Sequence, residues 1–598
     1  MAADPHDATR SPLTWDEDGL PRSTLYDDVY FSSDDGLAES RAVFLAGCGL
    51  PDAWAGRARF TVGELGFGTG LNIAALLDLW RRARPDGARL HIFSVEAHPL
   101  ARQDAARALA RWPQIAQAAA ALTDRWPGRA RGIHRIDLPD FDAVLDLAVM
   151  DAGEALAAWD GAADAWFLDG FSPAANPAMW SEDLMRLVAE RSAPGARAAT
   201  FTVAGAVRRS LAAAGFAVDK RPGFGRKRER LEARLEGSPA AQAPPRRIAI
   251  LGAGIAGASL ARAFRALGAE PVVYDPRGPG GGASGNPAAL VTPRLDAGLG
   301  PPARLHAEAL RRAVALYEAF PDAVIGRGVL QLETGERDAA RFAAIAASGL
   351  FEPGAMAVLS AAQASDRMGE AVSGALAMEA ALALDPRPVL DAWTGEVVTA
   401  RIERLEPGWT LHADDGRVFE ADAVCLAAGT ACAAFAGLPL QPVRGQASWA
   451  EGADLPCAAA FGGYAAPMAG GVLFGATHDR DDEGGDVRED DNARNLALLA
   501  KRLPRLAERL GGAPLQARAS IRAAAPDRLP IAGALGGGLF VLSGLGSRGF
   551  CTAPLLAEHV AAQAMGAASP LARDLAALVH PGRFEARAAR RGASRRGG

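Results

Sequence analysis

The chain has 598 residues, of which 49% are hydrophobic and 22% are charged, and its formal net charge is −6. This composition excludes a fibrous or largely disordered chain, and the length exceeds a single hydrophobic core, which stops growing near about 250–300 residues. The acidic balance also argues against a broad nucleic-acid-binding surface, so any RNA contact must be a local basic patch.

Targeting and metal signals are missing from the sequence. The amino-terminal residues show no basic flank followed by an apolar run, and no apolar stretch is typical of a membrane span. We therefore expect a cytoplasmic protein that is not attached to a membrane. The five cysteines have neither a paired spacing nor a neighbouring histidine cluster, which predicts no disulfide framework and no metal site.

A stretch of small and turn-forming residues at 237–246 predicts an interdomain linker. Each side of it begins with a strand, a glycine-rich turn and a helix, so the fold class is α/β and each half is expected to bind a nucleotide. The predicted domains are residues 1–236 and 247–582. Residues 583–598 are rich in arginine with nothing to bury, which predicts a basic disordered tail.

The first glycine loop, 66–70, follows a predicted strand at 60–65 and precedes a helix from 71 to 80. Glycines there allow a ligand to approach the backbone closely. The next strand ends at Glu96, whose carboxylate could accept hydrogen bonds from ribose hydroxyls. Asp151 follows the apolar segment 144–150 and could hold an adenine amino group, although a solvated helix cap is the alternative.

Asp169 is the candidate catalytic residue of this half. The predicted strand 165–168 delivers it to the carboxyl edge of the sheet, where open α/β folds bind ligands. A carboxylate at that edge could orient an amine for methyl transfer and accept its proton. The alternative is a turn formed by Asp169 and Gly170.

A basic cluster near the end of this half includes Arg226, Lys227 and Arg228, within a predicted final hairpin. These side chains could contact RNA phosphate, and a solvated face is the alternative.

The second glycine loop carries a dinucleotide fingerprint. A strand at 247–251 leads into Gly252, Gly254 and Gly257, a helix follows to residue 267, and Asp275 ends the next strand. The glycines permit a tight turn and a close pyrophosphate, the helix offers its amino terminus to phosphate, and the acid meets a ribose.

Three later segments favour FAD over NAD for this half. A buried strand ends at Gly429, and loops at 282–286 and 543–550 could enclose a flavin. Arg522 lies on a predicted strand beside these loops and could clamp a substrate carboxylate with two hydrogen bonds. A surface ion pair is the alternative for this arginine.

Taken together, the segments 64–72, 164–171, 223–229, 282–286 and 544–549 resemble the MnmC family of bifunctional tRNA-modifying proteins. The resemblance implies a Rossmann-like class I methyltransferase domain that uses S-adenosylmethionine. It also implies a following FAD domain similar to glycine oxidase and D-amino-acid oxidase, with an α/β Rossmann part and an α+β substrate subdomain.

The implied function is a two-step modification of the wobble uridine in tRNA. The FAD domain would oxidise the carboxymethylaminomethyl group, releasing glyoxylate and leaving an aminomethyl group, which the first domain would then methylate. Asp169 and Arg522 match the catalytic positions. The implied S-adenosylmethionine residues are Glu64, Gly66, Phe67, Gly68, Gly70, Asn72, Glu96 and Asp151. The implied FAD residues are Gly252, Gly254, Gly257, Asp275, Ser284, Gly285, Asn286, Gly429, Gly546, Ser547, Arg548 and Gly549.

Two other functions fit the same motifs. One is a small-molecule amine or imino-acid oxidase fused to a metabolite methyltransferase, which the overall acidity would suit. The other is a binding protein that keeps its cofactor sites for structure alone. For the tRNA enzyme we expect a monomer with tRNA as its partner.

Overall fold

A computed structural model describes residues 12–225, 227–238, 244–298 and 300–588. The chain divides into two compact units, residues 1–242 and 243–598. Half of the predicted linker, residues 239–243, lies outside the described residues.

The described residues of the first unit form ten strands and seven α-helices. Its strands are β1 Leu13–Trp15, β2 Pro21–Ser23, β3 Arg59–Leu65, β4 Arg89–Val95, β5 Gly132–Leu138, β6 Ala143–Val149, β7 Ala163–Leu168, β8 Ser192–Thr200, β9 Ala217–Pro222 and β10 Glu229–Arg234. Its helices are α1 Gly36–Ser40, α2 Leu71–Ala83, α3 Arg102–Leu109, α4 Ala116–Asp124, α5 Ala152–Ala158, α6 Glu182–Glu190 and α7 Gly205–Ala213.

Eight of these strands form one sheet in the order β5-β6-β4-β3-β7-β8-β10-β9. The strands from β6 to β8 in this order run parallel, while β5 and the β9–β10 hairpin pair antiparallel at the two edges. The chain order reverses between β3 and β7. A crevice for ligands opens at the carboxyl ends of the strands beside such a reversal.

Helix α2 fixes the glycine loop against the core. Its fully buried residues Ile73, Leu76, Leu77 and Trp80 recur at the spacing of one helix face. The indole nitrogen of Trp80 donates a hydrogen bond to the carbonyl oxygen of Phe141 at 2.9 Å. The start of α2, which follows the loop directly, is therefore held by packing.

In the part of the second unit that the structure describes, there are nineteen further strands and ten α-helices with assigned bounds. Its strands are β11 Ile248–Leu251, β12 Val272–Tyr274, β13 Ala289–Val291, β14 Val324–Leu332, β15 Met356–Leu359, β16 Ala375–Leu384, β17 Val397–Val398, β18 Ile402–Glu406, β19 Thr410–Ala413, β20 Val418–Glu420, β21 Ala423–Leu426, β22 Gln441–Glu451, β23 Ala458–Ala460, β24 Tyr464–Met468, β25 Gly471–Gly475, β26 Asp479–Arg480, β27 Gln516–Ala524, β28 Ile531–Gly536 and β29 Leu539–Ser543. Its helices are α8 Ile255–Ala266, α9 Pro301–Tyr317, α10 Asp338–Ala346, α11 Ala361–Met368, α12 Pro386–Thr394, α13 Cys432–Ala436, α14 Glu489–Arg502, α15 Pro504–Gly511, α16 Gly549–Met565 and α17 Arg573–Val579.

Three sheets organise this unit. The sheet that contains β11, the strand before the second glycine loop, has the order β17-β12-β11-β21-β29-β28 and is parallel except for β28. A ten-stranded mixed sheet contains β13–β16 and β22–β27, and β18–β20 form a small antiparallel sheet. This arrangement of a parallel sheet with a larger mixed one is the predicted combination of an α/β part and an α+β subdomain.

The expectation of a disordered tail from residue 583 is wrong for its first residues. Residues 583–588 are helical, and Arg583 is buried. The guanidinium of Arg583 donates to Asp527 at 2.9 Å, and Arg587 pairs with the same carboxylate at 2.6 Å. Composition could not reveal this, because the neutralising acid lies 56 residues earlier than Arg583. Residues 589–598 lie outside the described part.

Within the described residues, no helix has the length and apolar character needed to cross a bilayer. The same residues contain no cluster of three or more His, Cys, Asp or Glu side chains that could hold a metal ion.

Candidate active sites

A cavity of about 820 Å³ opens in the first unit at the carboxyl ends of β3 and β7, and we call it the first cavity. Its wall includes most of the sequence-predicted residues of this half. They are Gly66, Phe67, Gly68, Asn72, Glu96, Asp151, Asp169 and Lys227.

The glycine loop of the first cavity is tied to the end of the neighbouring strand. Gly66 and Gly68 adopt φ values of 85° and 51°, a region that disfavours residues with a Cβ. The amide of Gly68 donates to Oε2 of Glu96, and the amide of His98 donates to Oε1, each at 2.9 Å. Because a carboxylate has about four acceptor positions, Glu96 can still accept hydrogen bonds from a ligand.

Asp169 is held by two donors at the bottom of the first cavity. The Asn72 side chain donates to its Oδ2 at 2.7 Å, and the Gly170 amide donates to its Oδ1 at 2.8 Å. Burial raises the pKa of Asp169 to about 6, while these hydrogen bonds act in the opposite direction. The carboxylate is therefore ionised at neutral pH and able to accept a proton.

Asp151 serves a structural purpose as well as lining the cavity. It is the N-cap of α5, because its Oδ1 accepts a hydrogen bond from the amide of Gly153 at 2.8 Å. These hydrogen bonds show that Asp151 caps a helix, which was the alternative interpretation of this residue. The residue also remains exposed to the cavity.

One wall of the first cavity was missed by the sequence reasoning. Residues 28–34 line it together with Tyr26, whose ring stacks on Phe171 with a centroid distance of 4.8 Å. Asp28 accepts a hydrogen bond from the Ser172 amide at 3.0 Å, which ties this segment to the loop after Asp169. The segment has no helix or strand periodicity, so only its aromatic and acidic composition could have marked it.

The predicted RNA-contacting residues occupy different environments. Lys227 lines the first cavity, where its Nζ pairs with Glu39 Oε1 at 2.8 Å and lies 4.1 Å from the centre of the Phe201 ring. Arg228 is exposed, and Arg226 lies outside the described residues. Lys227 therefore lies where its ammonium group can contact a ligand bound in the first cavity.

A second cavity, of about 970 Å³, lies in the second unit at the carboxyl end of β11. Most of the predicted FAD residues line this second cavity, together with Arg522. They are Gly252, Gly254, Asp275, Ser284, Asn286, Gly429, Gly546, Ser547, Arg548 and Gly549.

The dinucleotide turn has the geometry that the fingerprint predicts. Gly252 adopts a φ of 112°, and α8 begins at Ile255, whose amide donates to Ser284 Oγ at 2.9 Å. The Asp275 carboxylate accepts the amide of Ala253 at 2.9 Å. The turn, the helix start and the strand-end acid therefore meet at one end of the cavity.

Two arginines lie elsewhere in the wall of the second cavity. Arg522 comes from β27, and its Nη1 donates to the carbonyl oxygen of Thr477 at 3.4 Å. Its guanidinium lies over Gly445, where an added Cβ would be 2.0 Å from Nη2. Arg548 precedes α16 and donates to Thr292 Oγ1. Burial lowers the pKa of both guanidinium groups, as expected for cations removed from water.

Four residues predicted to bind cofactors are not among the described residues that line either cavity: Glu64, Gly70, Gly257 and Gly285. Two of these residues lie against neighbouring backbone. An added Cβ would lie 1.8 Å from the Gly252 carbonyl oxygen at Gly257, and 2.1 Å from the Gly280 carbonyl oxygen at Gly285. Gly70 has a φ of 75° before α2, and Glu64 is fully buried.

Comparison with known proteins assigns both halves. Residues 113–236 match the family described as S-adenosyl-L-methionine-dependent methyltransferase, and residues 247–563 match the family described as FAD dependent oxidoreductase. The chain is 62% identical over 598 residues to the tRNA 5-methylaminomethyl-2-thiouridine biosynthesis bifunctional protein MnmC of Caulobacter sp. (strain K31), covering 98% of this chain and 99% of that protein.

A protein of the same name from Maricaulis maris is 45% identical over 97% of each chain. Among solved structures, glycine oxidase from Geobacillus kaustophilus is similar with a TM-score of 0.47 and 22% identity, over 54% of this chain and 95% of that chain.

Substitution of Gly257 by alanine tests the packing of the dinucleotide turn. The new Cβ would overlap the Gly252 carbonyl oxygen, so α8 must move away from β11. We expect a loss of about 1–3 kcal/mol in the free energy of unfolding, the usual cost of overpacking, together with a lower ratio of bound flavin to protein. Urea unfolding measures the free energy, and the absorption spectrum measures the ratio of bound flavin to protein. Gly511→Ala is the control, because its nearest neighbour would be 3.8 Å away, and equal behaviour of the two variants would contradict the expectation.

Proposed function

The chain belongs to the family of MnmC bifunctional proteins of tRNA 5-methylaminomethyl-2-thiouridine biosynthesis, and we propose that it performs two successive reactions on the wobble uridine of tRNA. Its two halves are an S-adenosylmethionine-dependent methyltransferase and an FAD-dependent oxidoreductase. In the proposed sequence the second unit removes a carboxymethyl group from the 5-substituent, and the first unit methylates the amine that remains. We further propose that the enzyme is a cytoplasmic monomer.

The second cavity suits FAD on chemical grounds. The pyrophosphate of FAD is anionic. The glycine turn before α8 allows it to approach the backbone amides closely, at the positive end of the helix dipole. A Cβ at Gly254 would come within 3.1 Å of Ser284 Oγ. Because Gly254 has no side chain, a phosphate can approach the backbone there. Asp275 and Arg548 both line the cavity, and we propose that Asp275 accepts hydrogen bonds from ribose hydroxyls while Arg548 supplies positive charge.

The first cavity suits S-adenosylmethionine, whose sulfonium is a cation. Carboxylates dominate its lining, and Glu96 stands at the strand end where a ribose is expected. The acidic lining residues are Asp28, Asp34, Glu39, Glu96, Asp151, Asp169 and Asp183. When bound, FAD supplies a two-electron acceptor and S-adenosylmethionine supplies the methyl group.

In the oxidation, the carbon between the amine and the carboxylate of the substrate loses a hydride and the amine loses a proton, which gives an imine. Water then adds and splits the imine, so that glyoxylate leaves and a primary amine remains on the uridine. Arg522 is proposed to hold the substrate carboxylate through a paired hydrogen bond. Its position over Gly445 supports this role, because the missing side chain leaves room for the guanidinium to lie flat.

In the methylation, the primary amine must present its lone pair in line with the methyl group. Asp169 is proposed to orient the amine and to accept the proton that it loses. The hydrogen bonds from Asn72 and Gly170 fix the carboxylate for this purpose. The stacked rings of Tyr26 and Phe171 offer a surface for the uracil base beside it.

Replacement of Arg522 by methionine should impair oxidation and spare methylation. Loss of a charged hydrogen bond costs about 1.5–3 kcal/mol, so kcat/KM for tRNA bearing carboxymethylaminomethyluridine should fall roughly 10- to 100-fold. Gly445→Ala should cause a smaller loss, because its Cβ displaces the guanidinium of Arg522 but does not remove it. Gly512→Ala is the matched control, because its added Cβ has no neighbour within 4 Å. Mass spectrometry of the nucleosides gives the rates. Unchanged oxidation by the methionine variant would remove the assignment.

Replacement of Asp169 by asparagine should stop methylation while oxidation continues. The variant keeps the shape of the side chain but cannot accept a proton, and a general base contributes about 10²- to 10⁴-fold to a rate. Aminomethyluridine should therefore accumulate in tRNA incubated with S-adenosylmethionine. Retention of bound S-adenosylmethionine, measured by calorimetry, is the control for folding. Methylation at the wild-type rate would show that another group accepts the proton.

The rate of methylation should fall as the pH drops through about 6, because Asp169 becomes protonated there. Lys227 lowers the pKa of Asp169 and Glu39 raises it. We therefore expect Lys227→Met to move the acid limb of the rate profile to higher pH and Glu39→Gln to move it to lower pH. Titration of the substrate amine is common to all three proteins and cancels in the comparison. Shifts in the same direction would contradict the assignment.

A further inference from the structure

Helix α16 contains a proline in its second turn. Its first residues, Gly549 and Phe550, line the second cavity, and Pro554 lies one turn farther along. In a regular helix, the amide of residue 554 would donate to the carbonyl oxygen four residues earlier, which belongs to Phe550. Proline has no N–H and cannot make this bond. The first turn of α16 therefore lacks one of its regular hydrogen bonds at the point where the helix meets the cavity.

A tyrosine from another helix supplies the missing donor. Tyr317 is the last residue of α9, and its hydroxyl donates to the carbonyl oxygen of Phe550 at 2.8 Å. Because Tyr317 is fully buried, the carbonyl oxygen that it meets faces the interior, where a missing donor is costly. Burial raises the pKa of Tyr317 well above its ordinary value, so the hydroxyl keeps its proton and remains a donor.

The ring of Tyr317 is held independently of its hydroxyl group. It stacks on Trp393 of α12 with a centroid distance of 5.3 Å and an angle of 17° between the ring planes. Farther along the same two helices, Arg312 Nε of α9 donates to Glu558 Oε1 of α16 at 3.0 Å. The earlier residue of α9 thus meets the later residue of α16, so the two helices are antiparallel. The tyrosine is therefore the attachment at the end of α16 that meets the cavity.

We propose that Tyr317 is a positioning residue for FAD, whose hydroxyl takes the place of the N–H that Pro554 lacks and so holds the first turn of α16 in the conformation that binds the cofactor. The first amides of a helix have no partner within the helix and are directed toward a group bound at its amino end. Tyr317 is not among the described residues that line the second cavity, so it acts through Phe550. The proposal rests on the proposed assignment of FAD to this cavity.

Two substitutions in the full-length protein test this role. Tyr317→Phe removes the hydroxyl and keeps the ring that stacks on Trp393, whereas Pro554→Ala gives α16 its own donor to the Phe550 carbonyl oxygen. We expect Tyr317→Phe to raise the Kd for FAD roughly 10-fold, because a buried carbonyl oxygen is left without a donor. The double variant should bind FAD within about 2-fold of Pro554→Ala alone. Titration of the apoprotein with FAD, followed by the quenching of flavin fluorescence, gives the Kd values.

The coupling between the two changes separates this role from a general effect of either one. Removal of a proline can itself stabilise a helix, so the quantity to compare is the gain from Pro554→Ala with and without the tyrosine hydroxyl. The gain in FAD affinity should be larger when Tyr317→Phe is present. Equal gains in the two backgrounds, or wild-type affinity in Tyr317→Phe, would overturn the proposal. Binding of S-adenosylmethionine by the first unit is the control for the rest of the chain.

The apoprotein tests the hydrogen bond without the cofactor. Tyr317→Phe should lower the thermal midpoint by about 2–4 °C, and Pro554→Ala should restore most of this loss in the double variant. A midpoint that Tyr317→Phe does not change would overturn the proposed replacement of the N–H. A wild-type protein that binds no FAD would overturn the cofactor assignment as well. Normal FAD binding without coupling would overturn only the role of Tyr317, so failure of this proposal and failure of the proposed function are distinguishable.

Discussion

Both cavities depend on the same constraint, a backbone turn at the end of a central parallel strand with no space for a side chain. In the second unit a Cβ at Gly252 would lie 2.5 Å from the carbonyl oxygen of Ala427, the residue that follows the neighbouring strand β21, and one at Gly257 would meet Gly252 itself. In the first unit Gly66 has a positive φ and lies against Gly170. Because the turns are this tight, the following helices start directly at the cavities and direct their amino ends toward them.

The two cavities differ in the sign of the charge around them. Carboxylates prevail in the lining of the first cavity, where Lys227 is paired with Glu39. Arginines prevail in the second, where Arg277, Arg401, Arg522 and Arg548 line the wall with Asp275 and Glu403. The formal charge of the whole chain, which is −6, conceals this contrast. Electrostatic arguments about ligands therefore belong to each cavity separately.

The parts that could be predicted from the sequence are those coded by local patterns. The strand, glycine turn and helix at each cofactor site have a fixed spacing, so their register and the strand-end acids Glu96 and Asp275 followed directly. Side chains that come from distant segments could not be placed in this way. Tyr26 reaches the first cavity from a segment without periodicity, and Gly445 bears on the site only because strand pairing puts it under Arg522.

The sequence patterns also do not predict which residues of a motif are buried and which tertiary partners a charged side chain has. Glu64 and Gly257 belong to the predicted cofactor motifs but line neither cavity, because a motif does not show which of its residues are covered by their neighbours. Lys227 was grouped with its basic neighbours as a predicted RNA contact, and the turn of the β9–β10 hairpin brings its side chain to Glu39 and Phe201. The same limitation applies to Arg583, whose charge is neutralised by an acid from a different element.

The contrast in charge also gives a physical reason for the order of the two proposed reactions. The first substrate carries a carboxylate, which an arginine-lined cavity attracts and an acid-lined cavity repels. Oxidation removes that carboxylate as glyoxylate and leaves an amine, which is a cation in water at neutral pH and is attracted to carboxylates. Only the product of the second unit therefore matches the first cavity. The charges of the two sites therefore determine the order of the proposed reactions. This order is the same whether the tRNA stays bound between the steps or leaves and returns.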